Sequence, residues 1–358
     1  MRTKVVAWIA LVAIVALLVV SLAAPAQAIP RGTRVQTYKT GLRFPVDMAW
    51  VRGTKKVFFT EKNTGRVRVM IGRRLLPRAC VRLPVNSEGE RGALGLALHP
   101  RFRRNHLLYV FYTNAQPLEN RVTRFTVKRN RCTRRKHIVR NLSAASSGYH
   151  NGGQLEFAGG HLFVATGEAH NPSLAQSKSS RLGKILRYRP NGRIPAGNPF
   201  STNRQRNPVW SYGHRNIFGL AHQPGTARVY ATENGPSCDD ELNHVRRGRN
   251  YGWGSGYSCG TAGVGRRPKP PLFRWSSIVV PTDAAWYRGR MRRLSGSLYV
   301  GDFGTGRLHR FNLSRKGSRL RRHTVIYDGA SGILDVAKAS GGWLYLVTSG
   351  AILRIVPR

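Results

Sequence analysis

The sequence has 358 residues, and its 60 lysines and arginines against 15 aspartates and glutamates give it a net charge of +45. Such a surface attracts polyanions, which outside a cell are anionic wall polymers, acidic polysaccharides and phospholipid surfaces. The basic residues are spread along the whole chain and form no nucleic-acid-binding motif, so the composition argues against a specific nucleic-acid partner.

The N-terminal segment predicts export. A basic start, an apolar stretch over residues 5–20 and an Ala-Gln-Ala sequence ending at Ala28 are the pattern of a secretory signal peptide covering residues 1–28. The apolar stretch is slightly long for that role, and an uncleaved membrane anchor is the alternative. We therefore expect a secreted, extracellular protein, with association with the cell envelope as a variant of this prediction. Residues 29–358 would form one domain.

Four cysteines remain in the exported chain: Cys80, Cys132, Cys238 and Cys259. In an oxidising compartment an even number indicates two disulfides, for which three pairings are possible. The pair Cys238 and Cys259 is attractive because it would close a loop around an acidic segment described below. Free buried thiols are the alternative.

A strand–turn–strand unit recurs six times after residue 28. Each copy has a short apolar or aromatic strand, a polar or glycine-containing turn and a second strand that often begins Gly-Arg or Gly-Lys. The predicted strand pairs are 57–60 with 65–69, 107–110 with 121–125, 161–164 with 183–187, 228–231 with 241–245, 297–300 with 306–311, and 343–346 with 351–355. Units that are too small to bury their own faces stack around a central axis. The repeat predicts an all-β fold, a six-bladed β-propeller, in preference to a β-sandwich.

Three polar residues are candidates for chemistry. His150 precedes Asn-Gly-Gly, so we expect it on an exposed turn, where an imidazole can accept a proton near neutral pH. Glu168 ends a strand of the same repeat and could orient that ring. Arg215 carries a fork of donors suited to a carboxylate or a developing oxyanion. The alternatives are a surface histidine, a strand-end charge and an ordinary arginine.

The segment around residue 239 concentrates negative charge. Asp239, Asp240 and Glu241 follow Gly235 and Pro236 closely. Glycine permits close approach to the backbone and proline lacks an N–H donor, so we expect carbonyl oxygens to face outward here. Calcium prefers such oxygen ligands, and the segment predicts a calcium site. An acidic turn between two strands is the alternative.

Five segments carry a resemblance to a known family. They are GERGALGLALHPRF (89–102), HNGGQLEF (150–157), GKILRYRPNGRIPAGNPF (183–200), YGHRNIFGLA (212–221) and ENGPSCDDELNHVRRGRNYGWG (233–254). With them the chain resembles the secreted glucose/sorbosone dehydrogenases, soluble aldose dehydrogenases that depend on pyrroloquinoline quinone (PQQ). The resemblance implies a six-bladed propeller with PQQ and calcium at its mouth. It also implies oxidation of an aldose sugar, or a related alcohol, to the lactone, with an electron acceptor that the sequence does not identify.

The resemblance assigns roles to five residues near the expected cofactor. His150 corresponds to the general base, and Glu168 to the aspartate that orients it. Arg215 and Asn216 correspond to cofactor contacts, and Arg215 would also stabilise negative charge on the quinone oxygen. Glu90 stands where family members have a glutamine that contacts PQQ.

The resemblance also implies two calcium sites. The backbone carbonyls of Gly235 and Pro236 correspond to ligands of the ion that polarises the quinone. Glu241 and Tyr251 correspond to ligands of a second, structural ion.

The cofactor clamp departs from the family pattern. The basic residues that bind the cofactor carboxylates in the family correspond to Gly304, Gly332 and Leu334 in this chain. Other arginines, such as Arg290, Arg292 or Arg307, could compensate. Together with Glu90 and the positive surface, this departure supports a second hypothesis, a non-catalytic propeller that binds an anionic cell-wall polymer or acidic glycan.

Overall fold

The computed structural model describes residue 29, residues 32–338 and residues 341–358. The predicted signal peptide, residues 1–28, lies outside the described residues. The described residues form 25 β-strands, two short α-helices and one 3-10 helix. None of these helices is long and apolar enough to cross a membrane.

The strands form six small antiparallel sheets, and each sheet is one blade. From the innermost strand outward, blade 1 contains β2 (Pro45–Trp50), β3 (Lys56–Glu61) and β4 (Arg66–Ile71), with β5 (Arg74–Leu75) and β6 (Val81–Arg82) both paired to β4. Blade 2 contains β7 (Ala93–Leu98), β8 (Leu107–Asn114), β9 (Glu119–Lys128) and β10 (Arg131–Ser143). Blade 3 contains β11 (Gly152–Ala158), β12 (His161–Thr166), β13 (Lys184–Tyr188) and β14 (Val209–Tyr212).

The second half of the ring repeats the arrangement. Blade 4 contains β15 (Ile217–His222), β16 (Val229–Glu233), β17 (Glu241–Val245) and β18 (Phe273–Arg274). Blade 5 contains β19 (Pro281–Tyr287), β20 (Ser297–Asp302), β21 (Arg307–Leu313) and β22 (Leu320–Asp328). Blade 6 contains β23 (Asp335–Lys338), β24 (Leu344–Val347), β25 (Ala351–Pro357) and β1 (Thr33–Thr40). The helices are α1 (Phe102–Asn105), α2 (Pro172–Gln176) and the 3-10 helix Arg292–Leu294.

The six inner strands contact one another in a closed ring around a central channel. The prediction of an all-β, six-bladed β-propeller is therefore confirmed. Each predicted strand pair corresponds to the two middle strands of one blade, such as β3 with β4 in blade 1 and β24 with β25 in blade 6.

The first strand of the chain closes the ring. β1 pairs antiparallel with β25, from Thr33 opposite Pro357 to Thr40 opposite Ala351. The outermost strand of blade 6 thus comes from the N-terminal part of the chain, and its other three strands come from the C-terminal part.

The apolar core lies between blades. Six clusters of buried residues each join neighbouring blades, and Phe58, Leu108 and Tyr112, for example, are fully buried between blades 1 and 2. Full burial of one such large side chain contributes roughly 1.5–3 kcal/mol. Because a blade alone would leave both of its faces exposed, the blades are stable only as a stacked ring.

Two disulfides crosslink the outer parts of the molecule, and none of the four cysteines is free. Cys80 bonds to Cys132 on β10, with a Cα–Cα distance of 4.9 Å, and this crosslink joins blade 1 to blade 2. Cys238 bonds to Cys259 and encloses the acidic segment, as the sequence favoured. The prediction of two disulfides is therefore confirmed.

Candidate functional site

A cavity of about 380 Å³ opens at the end of the channel where the inner strands begin, which we call the mouth. All six blades contribute to its wall, which includes small, apolar and aromatic residues. The lining residues are Phe44, Val46, Asp47, Lys62, Gly89, Glu90, Leu94, Gly95, Tyr149, Gly152, Gly153, Gln154, Phe218, Val280, Thr282, Phe303 and Leu334. A pocket of this size, mostly apolar with a few polar groups, suits a small-molecule ligand.

The segments that lead into the inner strands carry an unusual backbone conformation. Phe44, His150 and Val280 precede β2, β11 and β19 and have φ angles of 50°, 56° and 55°. Residues other than glycine rarely adopt this left-handed region, and a β-branched valine there is strained. Such conformations occur at binding sites and active sites, and these three lie at the mouth.

His150 and Glu168 form a buried pair beside this cavity. The Nδ1 atom of His150 lies 2.7 Å from Oε1 of Glu168. The other carboxylate oxygen of Glu168 accepts a hydrogen bond from the backbone N–H of Asn171 at 3.0 Å, which fixes its orientation. A Cβ atom at Gly167 would collide with the carbonyl of His150, so glycine is needed where the two segments cross.

Glu90 connects His150 to the cavity. Its carboxylate lines the cavity and accepts hydrogen bonds from the backbone N–H of His150, at 2.8 Å, and from Nδ2 of Asn216, at 3.1 Å. His150 and Arg215 are not themselves part of the cavity lining. The negative charge that replaces the family's glutamine is therefore held by two N–H donors.

Arg215 lies on the next loop, between blades 3 and 4. Its backbone N–H donates to Oε1 of Glu233 at 2.6 Å, and Oε2 of the same carboxylate contacts Nδ1 of His214 at 2.8 Å. The guanidinium donates from Nη1 to the carbonyl of Asn234 at 3.0 Å and lies over the ring of Trp253. Its Nε is buried without a partner among the described residues, which leaves one donor unused.

The environment of Arg215 is both buried and acidic. Burial lowers the pKa of its guanidinium, and the carboxylates of Glu168, Glu90, Glu233 and Asp240 oppose that shift. The neighbouring carboxylates therefore help to keep a positive charge beside the mouth.

Backbone hydrogen bonds join the loop of Glu168 to the loop of Arg215 and Asn216, and join that loop to the segment that begins at Asn234. The N–H of Glu168 donates to the carbonyl of Arg215 at 2.9 Å, and the N–H of Asn234 donates to the carbonyl of Asn216 at 3.0 Å. The structure thus brings His150, Glu168, Arg215, Asn216 and Glu90 together around one side of the mouth.

The segment 234–241 is ordered by Asp240. Its carboxylate accepts hydrogen bonds from the backbone N–H groups of Gly235 (2.9 Å), Val279 (2.7 Å) and Val280 (2.8 Å). Asp240 therefore ties the turn that contains Gly235 and Pro236 to the loop before blade 5. The side-chain oxygen Oδ1 of Asn234, next to this turn, is buried without a partner among the described residues.

Glu241 and Tyr251, the predicted ligands of a second calcium ion, are both engaged by protein groups. The carboxylate of Glu241 contacts Arg274 at 3.2 Å and Asn243 at 3.1 Å, and burial together with nearby Glu233 raises its pKa to about 8. The hydroxyl of Tyr251 donates to the carbonyl of His244 at 2.6 Å. Neither residue lines the mouth cavity, and their assignment to a second ion stays a prediction.

The basic residue at the cavity is not one of the arginines expected from the sequence. Arg290 lies over Trp343, Arg292 is in the 3-10 helix, and Arg307 pairs with Asp328 at 2.9 Å. None of the three lines the cavity. Lys62, which follows β3, lines it instead.

Sequence reasoning also missed His170 and Tyr149. The ring of His170 packs edge-on against His150, with 4.0 Å between ring centroids, and Tyr149 is half exposed at the mouth. Burial and the neighbouring His150 lower the pKa of His170. The only local signal for Tyr149 and His170 was their position beside His150 and Glu168.

The residues present fit the cofactor and ion that the family resemblance implies. Lys62 and the unused Nε of Arg215 offer positive charge and a donor to an anionic quinone. The unpartnered Oδ1 of Asn234 and the adjacent carbonyls of Gly235 and Pro236 offer the oxygen ligands that calcium prefers.

Known proteins share both the sequence pattern and the fold. An uncharacterised protein of Synechocystis sp. is 31% identical over 353 residues, which is 88% of this chain and 84% of that protein. The aldose sugar dehydrogenase YliI of Escherichia coli is 28% identical over 294 residues, 76% of this chain and 79% of that protein. The PQQ-bound aldose sugar dehydrogenase of Streptomyces coelicolor superposes with a TM-score of 0.78 at 28% identity, covering 92% of this chain and 99% of that chain.

The family model for glucose/sorbosone dehydrogenases matches residues 42–356, from the residues before β2 into β25. The match includes every strand except β1 and every residue of the mouth described above. This chain belongs to the glucose/sorbosone dehydrogenase family.

Proposed function

We propose that this protein is a PQQ-dependent dehydrogenase that oxidises an aldose sugar, or a related alcohol, to the lactone with the assistance of calcium. Family membership supports an oxidoreductase that acts on sugars or alcohols. The observation that carries the proposal is the His150–Glu168 pair, 2.7 Å apart beside a cavity of suitable size.

His150 is the general base in this proposal. A carboxylate only accepts hydrogen bonds, so Nδ1 of His150 carries the hydrogen that Glu168 accepts. The lone pair therefore resides on Nε2, which takes the proton from the sugar's anomeric hydroxyl. Glu168 then stabilises the imidazolium that results.

Arg215 and Asn216 hold the site in place around the reacting groups. The buried guanidinium of Arg215 presents an unused N–H and a positive charge where negative charge develops. PQQ, when bound, supplies the acceptor for the electron pair that leaves the sugar. The carbonyls of Gly235 and Pro236 would hold the calcium ion, a Lewis acid.

The change His150→Gln tests the role of the base. We expect kcat to fall about 10²- to 10⁴-fold, because general base catalysis contributes that much and glutamine cannot take the proton. Activity is measured with purified protein, PQQ, calcium, a panel of aldose sugars and an artificial electron acceptor.

His161→Gln is the matched control. His161 begins β12 in the same blade, at the end of the blade away from the mouth, and its Nδ1 lies 2.9 Å from the carbonyl of Gly159. We expect its activity to stay close to that of the wild type. A His150→Gln protein that is folded and as active as this control would contradict the proposal, as would a PQQ-bound wild type that is inactive on every sugar.

We also propose that the protein acts outside the cytoplasm. Two disulfides, with no free cysteine, support an oxidising compartment. The predicted signal peptide agrees with this location.

Association with an anionic polymer is a second candidate function. The outermost strand of blade 2, β10, exposes Arg131, Arg134, Arg135, Lys136 and Arg140 along the edge of the sheet. A row of positive charges suits an anionic wall polymer or acidic glycan. A PQQ titration of the melting temperature separates a pure binding protein from the enzyme, because a ligand that binds only the native state must raise it.

A further inference from the structure

Lys62 is the one basic side chain among the described residues that line the mouth cavity. It follows the end of β3 in blade 1 and is partly buried. Lys62 lies outside the five segments that carry the family resemblance. Arg290, Arg292 and Arg307 do not line the cavity.

The ammonium group of Lys62 is positioned but carries no ionic partner in the described part of the chain. Its Nζ donates to Oδ1 of Asn63 and to the carbonyl of Ser87, both at 3.0 Å, and lies 5.7 Å from the centre of the Phe44 ring. An ammonium group has three donors, so one N–H is left. Burial lowers the pKa of Lys62, and only Glu90 opposes that shift.

The opposite wall of the cavity carries no charged side chain. Phe303 lines the cavity from blade 5 and Leu334 from blade 6, and a Cβ atom at Gly332 would collide with Phe303. Among the described lining residues, the positive charge therefore lies at blade 1 and not at blades 5 and 6.

We propose that Lys62 binds a carboxylate of PQQ. The inference rests on the proposed function, since it assigns a contact to the same cofactor. Glu90 lies near this ammonium but forms no ion pair with it. A bound carboxylate would supply the ionic partner that Lys62 lacks among the described residues. The positioned, half-desolvated ammonium makes the contact stronger than one on an open surface would be.

The test measures PQQ binding itself by isothermal titration calorimetry on the purified apo protein with calcium. For Lys62→Met we expect PQQ to bind roughly 10- to 100-fold more weakly, because hydrogen bonds to charged groups contribute in that range. Lys62→Arg keeps the charge and is expected to retain most of the affinity. The trimethyl ester of PQQ, which has no carboxylate, should bind wild type and Lys62→Met alike.

Lys55→Met is the matched control. Lys55 is exposed just before the other end of β3, so this change removes the same charge far from the mouth. Its PQQ affinity should equal that of the wild type. If Lys62→Met fails to fold, Lys62→Gln removes the charge and keeps a polar end to the side chain, and the same loss is expected of it.

The outcomes separate the two proposals. If PQQ neither binds the wild type nor raises its melting temperature, the proposed function fails, and this inference fails with it. If the wild type binds PQQ and the uncharged Lys62 variants bind it within about twofold as well, the inference alone is overturned. An equal loss of affinity for PQQ and for its trimethyl ester would also overturn it, because the loss would then be unrelated to the carboxylates.

Discussion

The role of His150 depends on one neighbouring carboxylate. Glu168 accepts a hydrogen bond from Nδ1 of His150 and is itself held by the backbone N–H of Asn171. The free nitrogen of the His150 ring is therefore Nε2. An isolated histidine could present either nitrogen. The pair therefore determines which atom can take a proton.

The change Glu168→Gln is expected to lower kcat on the order of 10²-fold. A neutral amide cannot stabilise the protonated ring and can also hold it in the other tautomer. Glu168→Asp should restore most of the activity, and a folded Glu168→Gln protein as active as the wild type would refute this positioning role.

Individual site residues were predictable where they lie in a recognisable segment. His150, Arg215 and Asn216 stand in such segments, Glu168 ends a strand of the same repeat as His150, and the structure brings the four together. Lys62 was not predictable, because nothing in Glu-Lys-Asn-Thr distinguishes it from other lysines and its place at the cavity depends on the stacking of blades.

The inner strands carry buried acids that face the channel. Asp47, Asp283 and Asp335 lie close together, and each accepts a hydrogen bond from a backbone N–H of a neighbouring inner strand: Leu96 at 2.5 Å, Leu220 at 3.2 Å and Met48 at 2.8 Å. Each carboxylate thus links two blades. Burial raises the pKa of Asp283 to about 6 and the pKa values of Asp47 and Asp335 well above the usual range.

These acids predict a dependence of stability on pH. A carboxyl group whose pKa is raised by folding holds its proton more tightly in the native state than in the unfolded one. Its contribution to stability therefore falls as pH rises from its unfolded value, about 4, through its folded value. Glu156 on β11, whose pKa burial raises to about 8, faces the same acids and adds to the effect.

The change Asp283→Asn tests this prediction. The amide still accepts a hydrogen bond from Leu220 but cannot ionise, so we expect the variant to gain stability relative to the wild type as pH rises from 5 to 8. Thermal melts of both proteins over this range provide the measurement. The charge of Asp283 also raises the pKa values of Asp47, Glu156 and Asp335, so its removal lowers them and acts in the same direction. A stability difference between the two proteins that is independent of pH would contradict the prediction.

Sequence patterns predicted the middle strands of the blades and missed the inner and outer ones. Middle strands such as Val57-Phe58-Phe59 are apolar because both faces are buried between blades. Some inner strands contain an acid, as in Pro-Thr-Asp-Ala-Ala of β19, because one face lines the channel. Outer strands such as β10 are largely charged and exposed, so they lack an apolar pattern.

The excess positive charge of the molecule lies on its surface and not in the mouth cavity. The chain carries +45, while the mouth combines one lysine with Glu90 and Asp47. An excess of positive charge around the outside raises the local concentration of polyanions without changing the chemistry of the cavity.

We expect the edge of β10 to contribute most to binding of such polymers. Replacing Arg134, Arg135 and Lys136 by glutamine should lower the salt concentration at which the protein elutes from immobilised heparin, a linear polyanion. The control replaces Arg319, Arg321 and Arg322, which are exposed on or beside β22 and carry the same total charge. Identical elution of the two triple variants would contradict a special role for this edge, and sugar oxidation should be unchanged in both.

Closure of the ring by β1 and β25 has a consequence for biogenesis. Thr33 lies far ahead of its partner Pro357 in the chain, so the last blade cannot assemble until β25 has been synthesised. Before that point the chain would have five complete sheets, and β1 would lack its partner strand. Loss of the seven residues of β25 would remove no residue of the mouth from the chain, but the ring of blades could not close.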